Sequence, residues 1–235
     1  MITISSVTPS AEKLLQTLLE AHPEHFKVIS NTPSAAGMWV DCTDVSQWEN
    51  AASIRLNKQQ SRIKIVADAD CDADGSPRAK EIDPGNGQYS TSLASWGGWK
   101  GKGAKADGDI YVDSETVPYF VLPLKFHQEI GIEKPLMGCI AKISWNGKSV
   151  FAILADEGPS KKIGEASIKT LESLGFDPWN SAKTKVVRGI PSGVTYDVFY
   201  TKRDLNRCVD FDSIQKYGKE VFGEQCPAMT YLVAK

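Results

Sequence analysis

Residues Cys139 to Gly175 read CIAKISWNGKSVFAILADEGPSKKIGEASIKTLESLG, and this stretch decides the fold. It opens with an apolar run, Cys139 to Trp145, and continues after Asn146-Gly147 with a second, Ser149 to Ala155. Asn-Gly is the dipeptide that best tolerates the two positive φ angles of a tight hairpin turn. Two strand-like runs on either side of it predict a β-hairpin. Gly158-Pro159 stops the second strand, which places Asp156 at a strand end. Glu165 comes nine residues later. Ile168, Leu171 and Leu174 then recur at helical spacing, with Gly175 as the stop signal, so Glu165 is expected in the opening turn of a helix. A strand-end carboxylate and a helix-start carboxylate would thus be joined by a short basic loop. Two carboxyl groups held apart by a rigid scaffold suit acid/base hydrolysis of a glycosidic bond. Read singly, the same residues could cap a turn and complement the positive end of a helix.

Outward from this stretch the chain is β-rich. Arg62 to Val66 alternates polar and apolar residues, as a half-buried strand does. Residues 109–123 do likewise, with Pro118 and Pro123 restricting that strand to an edge or a bulge. Val194 to Tyr200 alternates, residues 212–222 suggest a short helix, and Thr230 to Ala234 a last strand. Many short strands between Gly/Pro turns, with few helices, predict a mainly β fold built on a small barrel. Leu14, Leu15, Leu18 and Leu19 form a helical stripe after Thr8-Pro9. The expected organisation is therefore an N-terminal helical extension, residues 1–27, packed on a single domain, residues 28–235.

Asp68, Asp70, Asp72 and Asp74, closed by Gly75, form an acidic run directly after the Arg62 strand. Asp70 to Glu81 satisfies the spacing of an EF-hand calcium loop. The flanks exclude an EF-hand, because a strand enters the loop and Pro84-Gly85-Asn86-Gly87 follows Glu81. A calcium loop of another kind stays open. Closely set aspartates repel one another, so a cation is expected near them. Residues 84–108 form a long loop rich in Gly, Ser and Trp, and long ordered loops are often functional. Tyr89, Trp96 and Trp99 could stack on the apolar faces of sugar rings or plug the edge of the core.

The segments A-D-x-G-P and K-I-G-E-A-S around Asp156 and Glu165 resemble the fungal-type chitosanases, glycoside hydrolase family 75. The acidic cluster from Asp68 to Gly75 and the segment DGDIYVDSETVPYFVLP, Asp107 to Pro123, share the resemblance, which covers about residues 60 to 200. It implies catalytic carboxylates at Asp156 and Glu165. It also implies an acidic substrate cleft that includes Asp68, Asp70, Asp72, Asp74, Asp109 and Asp113, with Tyr89 and Trp96 as stacking residues. The implied activity is endo-hydrolysis, by inversion, of the β-1,4 bonds between the glucosamine units of chitosan. Glu165 is favoured as the acid and Asp156 as the base, an assignment the sequence leaves open. The strand, Asp-x-Gly, loop and helix order is also similar to the double-psi β-barrel of other polysaccharide-cleaving families. Two other readings stay open: a peptidoglycan- or chitin-directed enzyme on the same fold, and a non-enzymatic, calcium-stabilised carbohydrate-binding module.

Composition sets further bounds. A net charge of −2 implies no general attraction to nucleic acid or to anionic membranes, and no apolar run approaches the length of a membrane span. The five cysteines, Cys42, Cys71, Cys139, Cys208 and Cys226, lack C-x-x-C spacing, which argues against a zinc site and leaves any disulfide pairing open. No metal or organic cofactor is required for the implied hydrolysis, and a monomer is expected. The start, MITISSVTPSAEKLL, lacks the pattern of a secretory signal, whereas the resemblance implies an extracellular enzyme.

Overall fold

The computed structural model describes residues 26–29, 39–41, 45–95, 112–203, 209–223 and 231–234. Its centre is a closed six-stranded β-barrel, and its scaffold is one long strand, β4 (Arg62–Asp72). Around β4 the described strands are β1 (Phe26–Ile29), β2 (Val40–Asp41), β3 (Ser53–Asn57), β5 (Tyr119–Pro123), β6 (Cys139–Trp145), β7 (Lys148–Gly158), β8 (Glu165–Ser167), β9 (Ile190–Arg203) and β10 (Tyr231–Ala234). One edge of β4 is shared: its first half pairs antiparallel with β3, and Asp70–Asp72 pair parallel with β8. Its other edge carries β9. From β8 the ring continues through β5, β7 and β6 to β9, which closes on β4. Closure leaves no open edge between these six strands.

The expected hairpin is β6–β7. Asn146 and Gly147 form its turn with φ of 46° and 76°, the double positive-φ geometry that selects this dipeptide. The barrel core alternates along each strand: Ile63, Ile65 and Ala67 from β4, Ala141 and Ile143 from β6, Val194, Tyr196 and Val198 from β9. β5 is buried along its whole length between β7 and β8, so of the edge or bulge its prolines allowed it takes the bulge, where its register with β7 shifts between Phe120 and Val121. Pro118 lies just before the strand and Pro123 is its last residue, which keeps their missing N–H groups off the interior of the ladder.

Four helices are described: α1 (Ala79–Ile82), α2 (Phe126–Glu129), α3 (Ile168–Ser173) and α4 (Phe211–Gly223). α3 follows the predicted periodicity. Ser167 caps it by accepting from Thr170 N, and its end is a Schellman turn, with Gly175 at φ 81° and Phe176 N donating to Leu171 O. Ser167 Oγ also donates to Val117 O and accepts from Tyr119 N, while Thr170 Oγ1 donates to Tyr119 O. This buried network fixes β8 against β5. No described helix is long and apolar enough to cross a membrane. β1 and β10 pair antiparallel as a separate ribbon, so the boundary expected at residue 27 falls inside β1. The leucine stripe of the expected N-terminal helix lies outside the described residues. Cys71 and Cys139 are free thiols, and the other three cysteines also lie outside the described residues.

Candidate active site

One row of register partners crosses four barrel strands and carries the candidate chemistry. Asp70 on β4 pairs with Glu165 on β8, Glu165 pairs with Val121 on β5, and Val121 pairs with Asp156 on β7. Register partners point their side chains to one face of a sheet, and all four residues line the same cleft of about 820 Å³. Asp156 reaches this row through a β-bulge. Phe120 pairs with Leu154 but Val121 with Asp156, so Ala155 is the extra residue. A bulge of this kind re-aims the following side chain. The strand ends at Gly158, where Gly158-Pro159 is expected to stop it, so Asp156 lies two residues from its end. Glu165 begins β8, three residues before α3, instead of opening the helix. Its position is set by ladder bonds to β4 and β5, not by the helix.

Asp156 is 7% exposed. Ser92 N (2.9 Å), Ser92 Oγ (2.5 Å) and Glu157 N (2.8 Å) all donate to its Oδ1. Burial raises its pKa above the ordinary carboxylate value, and these three hydrogen bonds hold it back only in part. Glu165 is half-buried and accepts from Lys162 Nζ at 2.9 Å, and the same ammonium sits 2.9 Å from Asp70 Oδ2. Burial alone would lower Lys162, but its bonds to Asp70 and Glu165 outweigh that and raise it, so it stays a cation. The two predicted catalytic carboxyls thus meet at one cleft in contrasting settings.

Asp72 and Asp74 deepen the acidic wall. Asp74 N donates to Asp72 Oδ1 at 2.8 Å, and Gln88 N donates to Asp74 Oδ1 at 2.7 Å. Burial first, and then the charges of Asp74 and Asp156, push Asp72 well up. Burial and Asp156 take Asp74 to about 7 against the opposing Gln88 bond. One oxygen each from Asp72, Asp74 and Asp156 lie within 4.8 Å of one another, and these three could hold a metal ion. The Asp70–Glu81 calcium spacing does not close into a loop of ligands: Asp70 faces Lys162, and Glu81 is exposed on α1.

The other expected cleft residues fare differently. Asp68 is buried and turned from the cleft, with its carboxyl against Gly164, where a Cβ would lie 1.7 Å from Asp68 Oδ1. It falls where the β4–β9 register shifts, between Ala67 and Ala69, which the alternating pattern does not reveal. Asp113 caps the turn leading into β5, accepting from Glu115 N and Thr116 Oγ1, and does not line the cleft. Tyr89 is exposed, with Lys80 Nζ 5.5 Å from its ring centroid, and is also outside the cleft wall. Asp109 and Trp96 lie outside the described residues. The sequence reading missed Ser92 and Gln88, ordinary polar residues of a Gly/Ser-rich loop whose only signal is that they sit just beyond the acidic run. No family model matches the chain, and no curated protein matches it.

Proposed function

We propose that this protein is an endo-acting chitosanase that cleaves β-1,4-glucosaminide bonds with inversion. The observation that carries the reading is the row Asp156–Val121–Glu165. Strands in a sheet are about 4.8 Å apart, so two residues one strand removed on the same face stand roughly 9.6 Å apart at the backbone. Carboxyls carried on that backbone spacing suit the separation of about 6.5–9.5 Å that inversion uses to admit a water better than the 5–5.5 Å of retention.

The surroundings favour Asp156 as the acid and Glu165 as the base, the reverse of the order favoured from sequence. A buried carboxyl with a raised pKa keeps a proton to give to the leaving oxygen. Glu165, which accepts from Lys162 Nζ and stands across Val121 from Asp156, is then left as the group that takes a proton from water. As the glycosidic bond breaks, Asp156 delivers its proton to the departing oxygen, and Glu165 removes one from the water that attacks the anomeric carbon from the opposite face. Exchange with solvent resets both groups.

Substrate charge follows from the wall. Among the described residues, Asp70, Asp72, Asp74, Asp83, Asp156, Glu157 and Glu165 line the cleft against Lys162 and Arg188. Lys162 is engaged by Asp70 and Glu165, and Arg188 pairs with Asp177 at 3.7 Å. Crowded carboxyls are stabilised by an incoming cation, and the ammonium groups of glucosamine supply it. Release of reducing ends from chitosan, lost in Asp156→Asn and Glu165→Gln, tests the proposal. Cleavage of fully acetylated polymer but not chitosan would favour a chitin- or peptidoglycan-directed enzyme instead. The Asp72–Asp74–Asp156 cluster supports a second reading, a cation-stabilised carbohydrate-binding module. A large fall in melting temperature with chelator, together with no cleavage of any polymer, would favour it.

A further inference from the structure

We propose that Ser92 is the positioning residue of Asp156, fixing the rotation of that carboxyl so that Oδ1 faces the serine loop. The inference rests on reading Asp156 as the general acid, but its geometry stands apart from the choice of substrate. Ser92 meets Asp156 twice, through its N–H and its hydroxyl, both on Oδ1. Glu157 N also donates to Ser92 Oγ, at 3.2 Å, as well as to Asp156 Oδ1. The hydroxyl thus accepts from Glu157 and spends its single proton on Asp156, which makes the bond directional. With three donors converging on Oδ1, the carboxyl cannot swap its two oxygens without breaking the set.

The serine is itself held. It opens a short 3-10 turn, Ser92–Ser95, between two buried residues, Thr91 and Leu93. Thr91 Oγ1 accepts from Val112 N, and upstream Gln88 O accepts from Gly75 N. The segment from Gln88 to Ser92 therefore links the acidic turn to the catalytic strand, with Gln88 on Asp74 and Ser92 on Asp156. Removing the hydroxyl leaves two backbone donors but frees the carboxyl to rotate, and misplacement of a reacting group by about 1 Å can cost on the order of 10²-fold in rate.

The test compares Ser92→Ala, Ser92→Thr and Ser92→Cys on soluble chitosan, alongside the ¹³Cγ resonance of Asp156 in protein labelled at aspartate. Ser92→Ala should lower kcat about 10- to 100-fold with KM within about twofold. Ser92→Thr, which keeps the hydroxyl, should restore most of the rate. Ser92→Cys, close in size but a weak donor, should behave as Ser92→Ala and serves if the alanine variant fails to fold. The Asp156 resonance should shift or broaden in the alanine and cysteine variants and return in the threonine variant. A wild-type kcat and an unchanged resonance in Ser92→Ala or Ser92→Cys overturn the role, as does a loss shared equally by the threonine variant. If the wild type cleaves no chitosan, the chitosanase reading falls, and the resonance alone still decides the role of Ser92.

Discussion

Asp156 and Glu165 share one register partner, Val121, and so face the same cleft from strands one position apart on either side of it. The relationship depends on two local devices. The extra residue Ala155 brings Asp156 into the row, and the three-residue β8 brings in Glu165, held by β4 on one side and β5 on the other. Each can be perturbed without removing either carboxyl.

Gly158 offers the most direct perturbation. A Cβ there would lie 2.6 Å from Glu165 Oε2 and 3.1 Å from Val121 Cγ1. Gly158→Ala should therefore displace the Glu165 carboxyl, lowering kcat about tenfold or more while the melting temperature changes by only a few degrees. Steady-state kinetics beside a thermal melt check this. An alanine variant with full activity would mean that Glu165 need not sit where β8 places it.

The two roles separate by leaving group. Asp156→Asn and Glu165→Gln should each lower chitosan hydrolysis by about 10²–10⁴-fold. On a glucosaminide with a nitrophenolate leaving group, which needs little protonation, Asp156→Asn should recover much of its rate and Glu165→Gln should not. The opposite pattern would restore the order favoured from sequence. The raised pKa of Asp156 also predicts that the alkaline limb of kcat against pH lies above the ordinary carboxylate range.

The hairpin and α3 were legible in the sequence because each is decided by neighbours: Asn146-Gly147 dictates its turn, and Ile168, Leu171 and Gly175 mark a helix and its end. The site was only half legible. Asp156 and Glu165 were found as a pair, but the tripeptide Glu165-Ala166-Ser167 is too short to show a strand period. Its pairing partners, Asp70 and Val121, lie far away along the chain. Asp68 reads as one more member of an alternating acidic series, yet it sits at a register shift that turns it from the cleft. Ser92 has no local mark at all, since its role comes from a strand 64 residues on.

Asp68 gives a stability prediction. Burial, then the charge of Asp70, pushes its carboxyl up to about 7, with Lys162 opposing and Glu165 adding to the shift. The folded state therefore binds a proton that the unfolded chain has lost in the window from about pH 4 to 7, so stability falls as pH rises through it. Asp72 and Asp74 shift the same way and steepen the fall. Asp68→Asn should be nearly neutral near pH 4 and more stable than the wild type at pH 8, by an amount on the order of a few kcal/mol. Chemical denaturation at the two pH values measures it, and a difference that does not grow with pH contradicts the assignment.

Gly164 holds the same corner. It sits at φ +95°, and a Cβ would collide with Asp68 Oδ1 at 1.7 Å. Gly164→Ala should destabilise the fold by more than about 1 kcal/mol, through both the left-handed backbone and the clash. Pairing it with Asp68→Gly should recover the part due to the clash, and a double-mutant cycle reads that coupling.

The central claim is that Asp156 and Glu165 act across one water on opposite faces of a glucosamine unit. Proton NMR of a chitosan oligosaccharide digest in its first minutes tests it most directly, because the new reducing end is seen before mutarotation. The account predicts that the α-anomer appears first, with products of intermediate length. First appearance of the β-anomer, or intact chitosan after prolonged incubation with folded protein, would contradict it.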